Sequence, residues 1–141
     1  MRIKVPTFVI IITFLTGLIA TILGIWAWIS PETFPGPSGV GAPTHTMLSW
    51  GARELAMALS SWIVIFFIKD ARGYAVALGS ALLRESLDFI DGFRIADTPT
   101  RLFIVVGISV VLHAAALYLT YRAIKKHNQE HPALEISVSP G

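Results

Sequence analysis

Between Lys4 and Glu32 the chain carries no formal charge, and within that stretch FVIIITFLTGLIATILGIWAWI is almost wholly apolar. About 20 such residues, wound as a helix, cross the roughly 30 Å hydrocarbon layer of a bilayer. A second stretch of the same kind, LFIVVGISVVLHAAALYLTY, lies between Arg101 and Arg122, with His113 as its single ionisable residue. These two runs decide the class of protein. Composition agrees: only 14% of the 141 residues are charged, against about 25% in soluble domains. The mean hydropathy is +0.67. The net charge of +2 leaves no electrostatic footprint for nucleic acid. With no cysteine, disulfides, thiolate metal sites and cysteine nucleophiles are excluded.

Two central segments, 49–68 and 73–93, have spanning length but hold charges: Arg53 and Glu54 in one, Arg84, Glu85, Asp88 and Asp91 in the other. Each charge at a helix centre costs about 2.5–3.5 kcal/mol on insertion scales. Such segments cross only if their charges turn inward and pair. LAMALSSWIVIFF is too apolar to stay in water, so the expectation is an all-α bundle of four transmembrane helices, about 6–29, 49–68, 73–93 and 102–122. Residues 1–127 then form the membrane domain and 128–141 a polar tail. Seven Lys/Arg (Arg2, Lys4, Lys69, Arg72, Arg122, Lys125, Lys126) flank one side and two (Arg94, Arg101) the other. The positive-inside rule therefore puts both termini in the cytoplasm. The first run exceeds the 7–15 apolar residues, roughly, of a secretory signal, and its best small-residue site, GVGA, precedes Pro43, so it reads as a retained span. Residues 30–48, rich in Pro and Gly, read as an irregular outer loop.

Helices in lipid associate through small and polar residues. Small residues recur four apart as Gly17 and Thr21, Ala20 and Gly24, Ala52 and Ala56, and Ala77 and Ala81. One face of the third segment carries Tyr74, Ala77, Ala81, Arg84, Asp88 and Asp91, with Glu85 beside it. The first offers Thr13, Thr16, Ala20 and Gly24, and the fourth Val106, Ser109, His113, Ala116 and Thr120. Depth counted along the helices brings Arg53, Glu54, Arg84, Glu85, Asp88, Asp91 and His113 into one half of the membrane. Two arginines then face four acids, so a proton on one or two acids, or a charged His113, is needed for balance. Three roles stay open for this cluster: a structural ion-pair network, a pocket for catalysis or a ligand, or an ion or proton path. Trp26, Trp28 and Trp50 sit where indoles anchor at headgroups, and Trp50 would also wall a pocket. Arg122, Lys125 and Lys126 make a weak contact for anionic lipid, fewer than a dedicated cluster.

The segment 51–93 resembles a family of short four-helix membrane proteins of bacteria and fungi that lacks an assigned activity. The resemblance rests on G-x-R-[DE] opening the second helix (Gly51, Arg53, Glu54). A short charged turn follows at 69–72, and then a third helix ending in Asp88 or Asp91. Some fungal membrane proteins of comparable size accompany biosynthetic enzymes and help isomerise or cyclise apolar intermediates, which the resemblance extends to this chain as one role. With no cofactor or metal motif, proton transfer is the chemistry within reach. In that reading Glu54 and Asp88 form the acid/base pair with His113 as a relay. Arg53, Arg84, Glu85, Asp91 and Trp50 would shape the site for a lipophilic small molecule. The other readings are a non-enzymatic scaffold or accessory subunit, and a small transporter, which at four helices would act as an oligomer. Membrane lipid is the expected surrounding, and a second copy or a partner membrane protein the expected protein contact.

Overall fold

Pro6, in extended conformation and with no N–H to give, opens the first helix. Its carbonyl accepts from the amides of Val9 (3.0 Å) and Ile10 (3.3 Å). Helix α1 runs Thr7–Ile29 and stops where Pro31 follows Ser30. The computed structural model describes residues 2–34, 44–93 and 100–131, and among them the only regular elements are helical. Helix α2 spans Thr44–Ile63 and continues as a π-helical turn, Val64–Ile68. Helix α3 spans Ala71–Gly92 and α4 Thr100–Glu130.

The turn between α2 and α3 is built by two residues. Lys69 takes a left-handed conformation (φ 51°) and its amide donates to Val64 O at 2.9 Å. Asp70 then caps α3, its Oδ1 accepting from the Arg72 amide at 2.9 Å. Its Oδ2 accepts from the Ile3 amide at 2.8 Å, fastening the start of the chain to this turn. Burial opposes ionisation of Asp70. The two amide bonds and the charge of Arg72 outweigh it and hold the carboxyl below its ordinary value.

Packing is closest between α1 and α2. A Cβ on Gly24 would lie 2.7 Å from Leu55 Cγ and 3.1 Å from the Gly51 carbonyl, and one on Gly51 would lie 2.9 Å from Ala27 Cβ. Both helices thus meet through bare backbone. At the end holding the α2–α3 turn, Val9, Ile12, Val64, Tyr74, Ala77, Leu78 and Ala116 form one apolar core drawn from all the helices. Thr13, Thr21 and Thr120 turn their hydroxyls back onto carbonyls of their own helices, which satisfies them away from water. The opposite surface is a continuous coat of exposed Ile, Leu, Val and Phe, among them Ile19, Ile22, Phe67, Val105 and Val111. Three helical segments, Thr7–Ile29, Thr44–Ile68 and Phe103–Glu130, are long and apolar enough to cross a membrane. The chain is a multi-pass integral membrane protein.

Some boundaries differ from the sequence reading. Helix α2 begins at Thr44 rather than near residue 49, so the last part of the supposed irregular loop is helical, while 35–43 lies outside the described residues. Helix α4 runs to Glu130, past its expected end near 122 and across the expected tail boundary at 128. Hydropathy marks where hydrocarbon ends. A helix continues into the headgroup layer as long as its backbone bonds and side-chain pairs hold, here with Lys126 and Glu130 at 3.8 Å. Ala52 and Ala56 are exposed and pack against nothing, unlike Ala77 and Ala81, which are buried.

Candidate functional site: an ionic cluster between α2 and α3

Successive turns of α2 face different neighbours. Gly51 and Leu55 lie against α1, while Arg53, Glu54 and Met57 reach α3. Glu54 is 1% exposed, the most deeply buried charged residue described. The Arg84 guanidinium spans its carboxylate: Nη1 donates to Oε2 at 3.0 Å and Nη2 meets Oε1. Such a two-pronged grip fixes both groups in one plane.

Arg84 is the hub. Its Nη2 lies 3.2 Å from Asp88 Oδ2, one turn along α3, and its Nη1 3.5 Å from Glu85 Oε1. Met57 Sδ lies 3.5 Å from Nη1 and the Trp50 ring centre 5.7 Å from the guanidinium carbon. Arg53 closes the chain from the edge, its Nη2 donating to Asp88 Oδ1 at 3.2 Å. It is 54% exposed, and its pair is the outermost. Trp50 also packs on Phe34, 4.8 Å between ring centres, so it serves the cluster and the α1–α2 cap together. The Nε–H groups of Trp50 and Arg84 are buried with no acceptor among the described residues.

Of the residues picked from sequence, Trp50, Arg53, Glu54, Arg84, Glu85 and Asp88 thus come together. The Asp91 side chain lies outside the described residues. His113 belongs to another seam. Its Nδ1 donates to the Ser109 carbonyl at 2.8 Å and its Nε2 meets the Thr16 hydroxyl at 2.9 Å, joining α4 to α1. The sequence reading had the right depth for His113 but no way to tell which neighbour it faced. Thr16 and Ser109, both on the seams read from sequence, are its partners. Met57 escaped notice because a thioether beside an arginine leaves no charge pattern.

On the other side of α3, Phe89, Phe93, Phe103, Gly107, Ile108 and Val111 border an open apolar groove of about 620 Å³ shared with α4. None of the ionic residues lines it, although Phe89 follows Asp88 directly. Among the described residues, no group of three or more His, Asp and Glu side chains is placed to share a metal ion. Comparison with protein-family models, curated proteins and solved structures finds no match, so no family stands behind the resemblance read from Gly51, Arg53 and Glu54.

Proposed function

We propose that the protein crosses the bilayer four times with cytoplasmic ends, and serves as a non-enzymatic scaffold or accessory subunit whose ionic cluster locks α2 to α3. A crossing by α3 is supported by its outer stripe of Val76, Leu83, Leu87 and Ile90, all exposed, opposite buried Tyr74, Ala77 and Ala81. Its 22 residues give a length of about 33 Å at the usual rise, close to the hydrocarbon thickness. The observation that carries the locking role is the commitment of both Glu54 oxygens to Arg84 across the seam. A general base must present a free lone pair to its substrate. Glu54 offers its own to a guanidinium instead, the arrangement by which buried pairs set helix register.

A second reading, proton-transfer chemistry that isomerises or cyclises a lipophilic molecule, draws on one feature. Three described carboxylates meet two guanidinium groups, and the partly exposed member, Asp88, adjoins the apolar groove through Phe89. One experiment separates the two. The double variant Glu54→Met/Arg84→Met replaces the buried pair by apolar groups of similar size and is expected to remain inserted and folded. The scaffold reading expects it to rescue a deletion strain as wild type does. A folded double variant that fails to rescue, together with failure of Asp88→Asn, would transfer the assignment to acid/base chemistry.

A further inference from the structure

The end of the bundle away from the ionic cluster gathers basic residues that are distant in sequence. The bond from Ile3 to Asp70 brings Arg2 and Lys4 beside the turn carrying Lys69 and Arg72. Across from them Pro6 faces the last turns of α4 over a groove of about 580 Å³, lined also by Leu119, Arg122, Lys125, Lys126 and Gln129. All seven lysines and arginines named here are exposed. The carboxylates described at this end are already engaged: Asp70 accepts from two amides, and Glu130 lies 3.8 Å from Lys126. Arg122 lies over the Tyr118 ring at 5.9 Å, which leaves its N–H edge available.

The groove is graded along the membrane normal. Helix α4 has 31 residues, about 46 Å at the usual rise, so its last turns outrun the roughly 30 Å hydrocarbon layer. Leu119 and Pro6 lie toward the acyl layer, Arg122 follows one turn beyond Leu119, and Lys125, Lys126 and Gln129 continue outward. An apolar floor under a basic rim matches a molecule with an acyl chain below an anionic head. We infer that this groove binds the headgroup phosphate of an anionic phospholipid, Arg122 and Lys125 donating to the phosphate oxygens and the first acyl carbons lying on Leu119 and Pro6. The three basic residues of α4 alone are too few for a dedicated cluster. Folding adds the opposing wall and the surrounding positive field.

Purified protein in neutral detergent, titrated with short-chain phosphatidylglycerol, phosphatidylcholine or inorganic phosphate and followed by its melting temperature, tests this. Phosphatidylglycerol is expected to bind about 30-fold more tightly than phosphatidylcholine, and Arg122→Gln/Lys125→Gln to remove that preference. Lys69→Gln/Arg72→Gln lowers the net charge equally but lies outside the groove, and is expected to keep most of it. Equal binding of the two lipids, an equal response to phosphate alone, or equal loss in both double variants would overturn the groove as a lipid site.

Discussion

The two faces of α2 are fastened in different ways. Toward α1 the contact is made by absence: Gly17, Gly24 and Gly51 let backbones approach until any added methyl would strike a neighbour. Toward α3 it is made by charge, with Arg84 and Arg53 reaching across to Glu54 and Asp88. Lipid gives apolar surfaces no reason to prefer each other, so a membrane helix needs one of these devices. Close packing spreads its stabilisation over many small dispersion contacts and tolerates no added volume. The ionic seam concentrates it on one guanidinium and tolerates no missing partner.

The sharpest way to break the contrast is Arg84→Met. It strands a buried carboxylate and is expected to cost about 3–5 kcal/mol in a mild-detergent unfolding titration. Adding Glu54→Met should recover most of that loss; if the double variant is no better than the single, the seam does not depend on pairing. Gly51→Leu attacks the other face and should cost about 1–3 kcal/mol by overpacking against Ala27 and Trp28. A cost near zero there would show that α1 and α2 are loosely joined.

Asp70→Asn weakens the tie between the chain's start and the α2–α3 turn, with an expected loss of about 1 kcal/mol at neutral pH. Because the folded carboxyl sits below its ordinary 3.8, its contribution is complete above that value and fades as pH falls through the folded one. Wild-type and variant unfolding curves should therefore converge only in strong acid. Gly79→Ala is the calibrating case. A Cβ there meets nothing within 4 Å, so helix propensity alone should act, worth about 0.5–1 kcal/mol in favour of alanine. Destabilisation at Gly79 would mean that this face is covered.

Much of the architecture was legible because bilayers read charge. The runs 5–31 and 102–121 announce α1 and α4, and the spacing of Arg84, Glu85 and Asp88 announces a polar stripe that meets Arg53 and Glu54. Azimuth between helices was not legible. His113 and Glu54 share a half of the membrane, yet they face different seams, which only packing decides. Nor were the ends of α2 and α4, since Thr44 and Glu130 lie where hydropathy no longer discriminates helix from loop. The groove at Arg122 was half visible: its basic rim is local in sequence, but its Pro6 wall comes from the far end of the chain.

The π-helical turn at Val64–Ile68 gives α2 a phase offset just before the chain reverses. Val64 stays in the core while Phe66 and Phe67 swing out to lipid, and the wider loop delivers Lys69 into its left-handed corner. Deleting one residue here would rewind the segment to ordinary pitch and rotate everything after it by about 100°. Asp70 would then point away from Ile3, and the latch between the beginning and the middle of the polypeptide would open without any side chain of the latch having been changed.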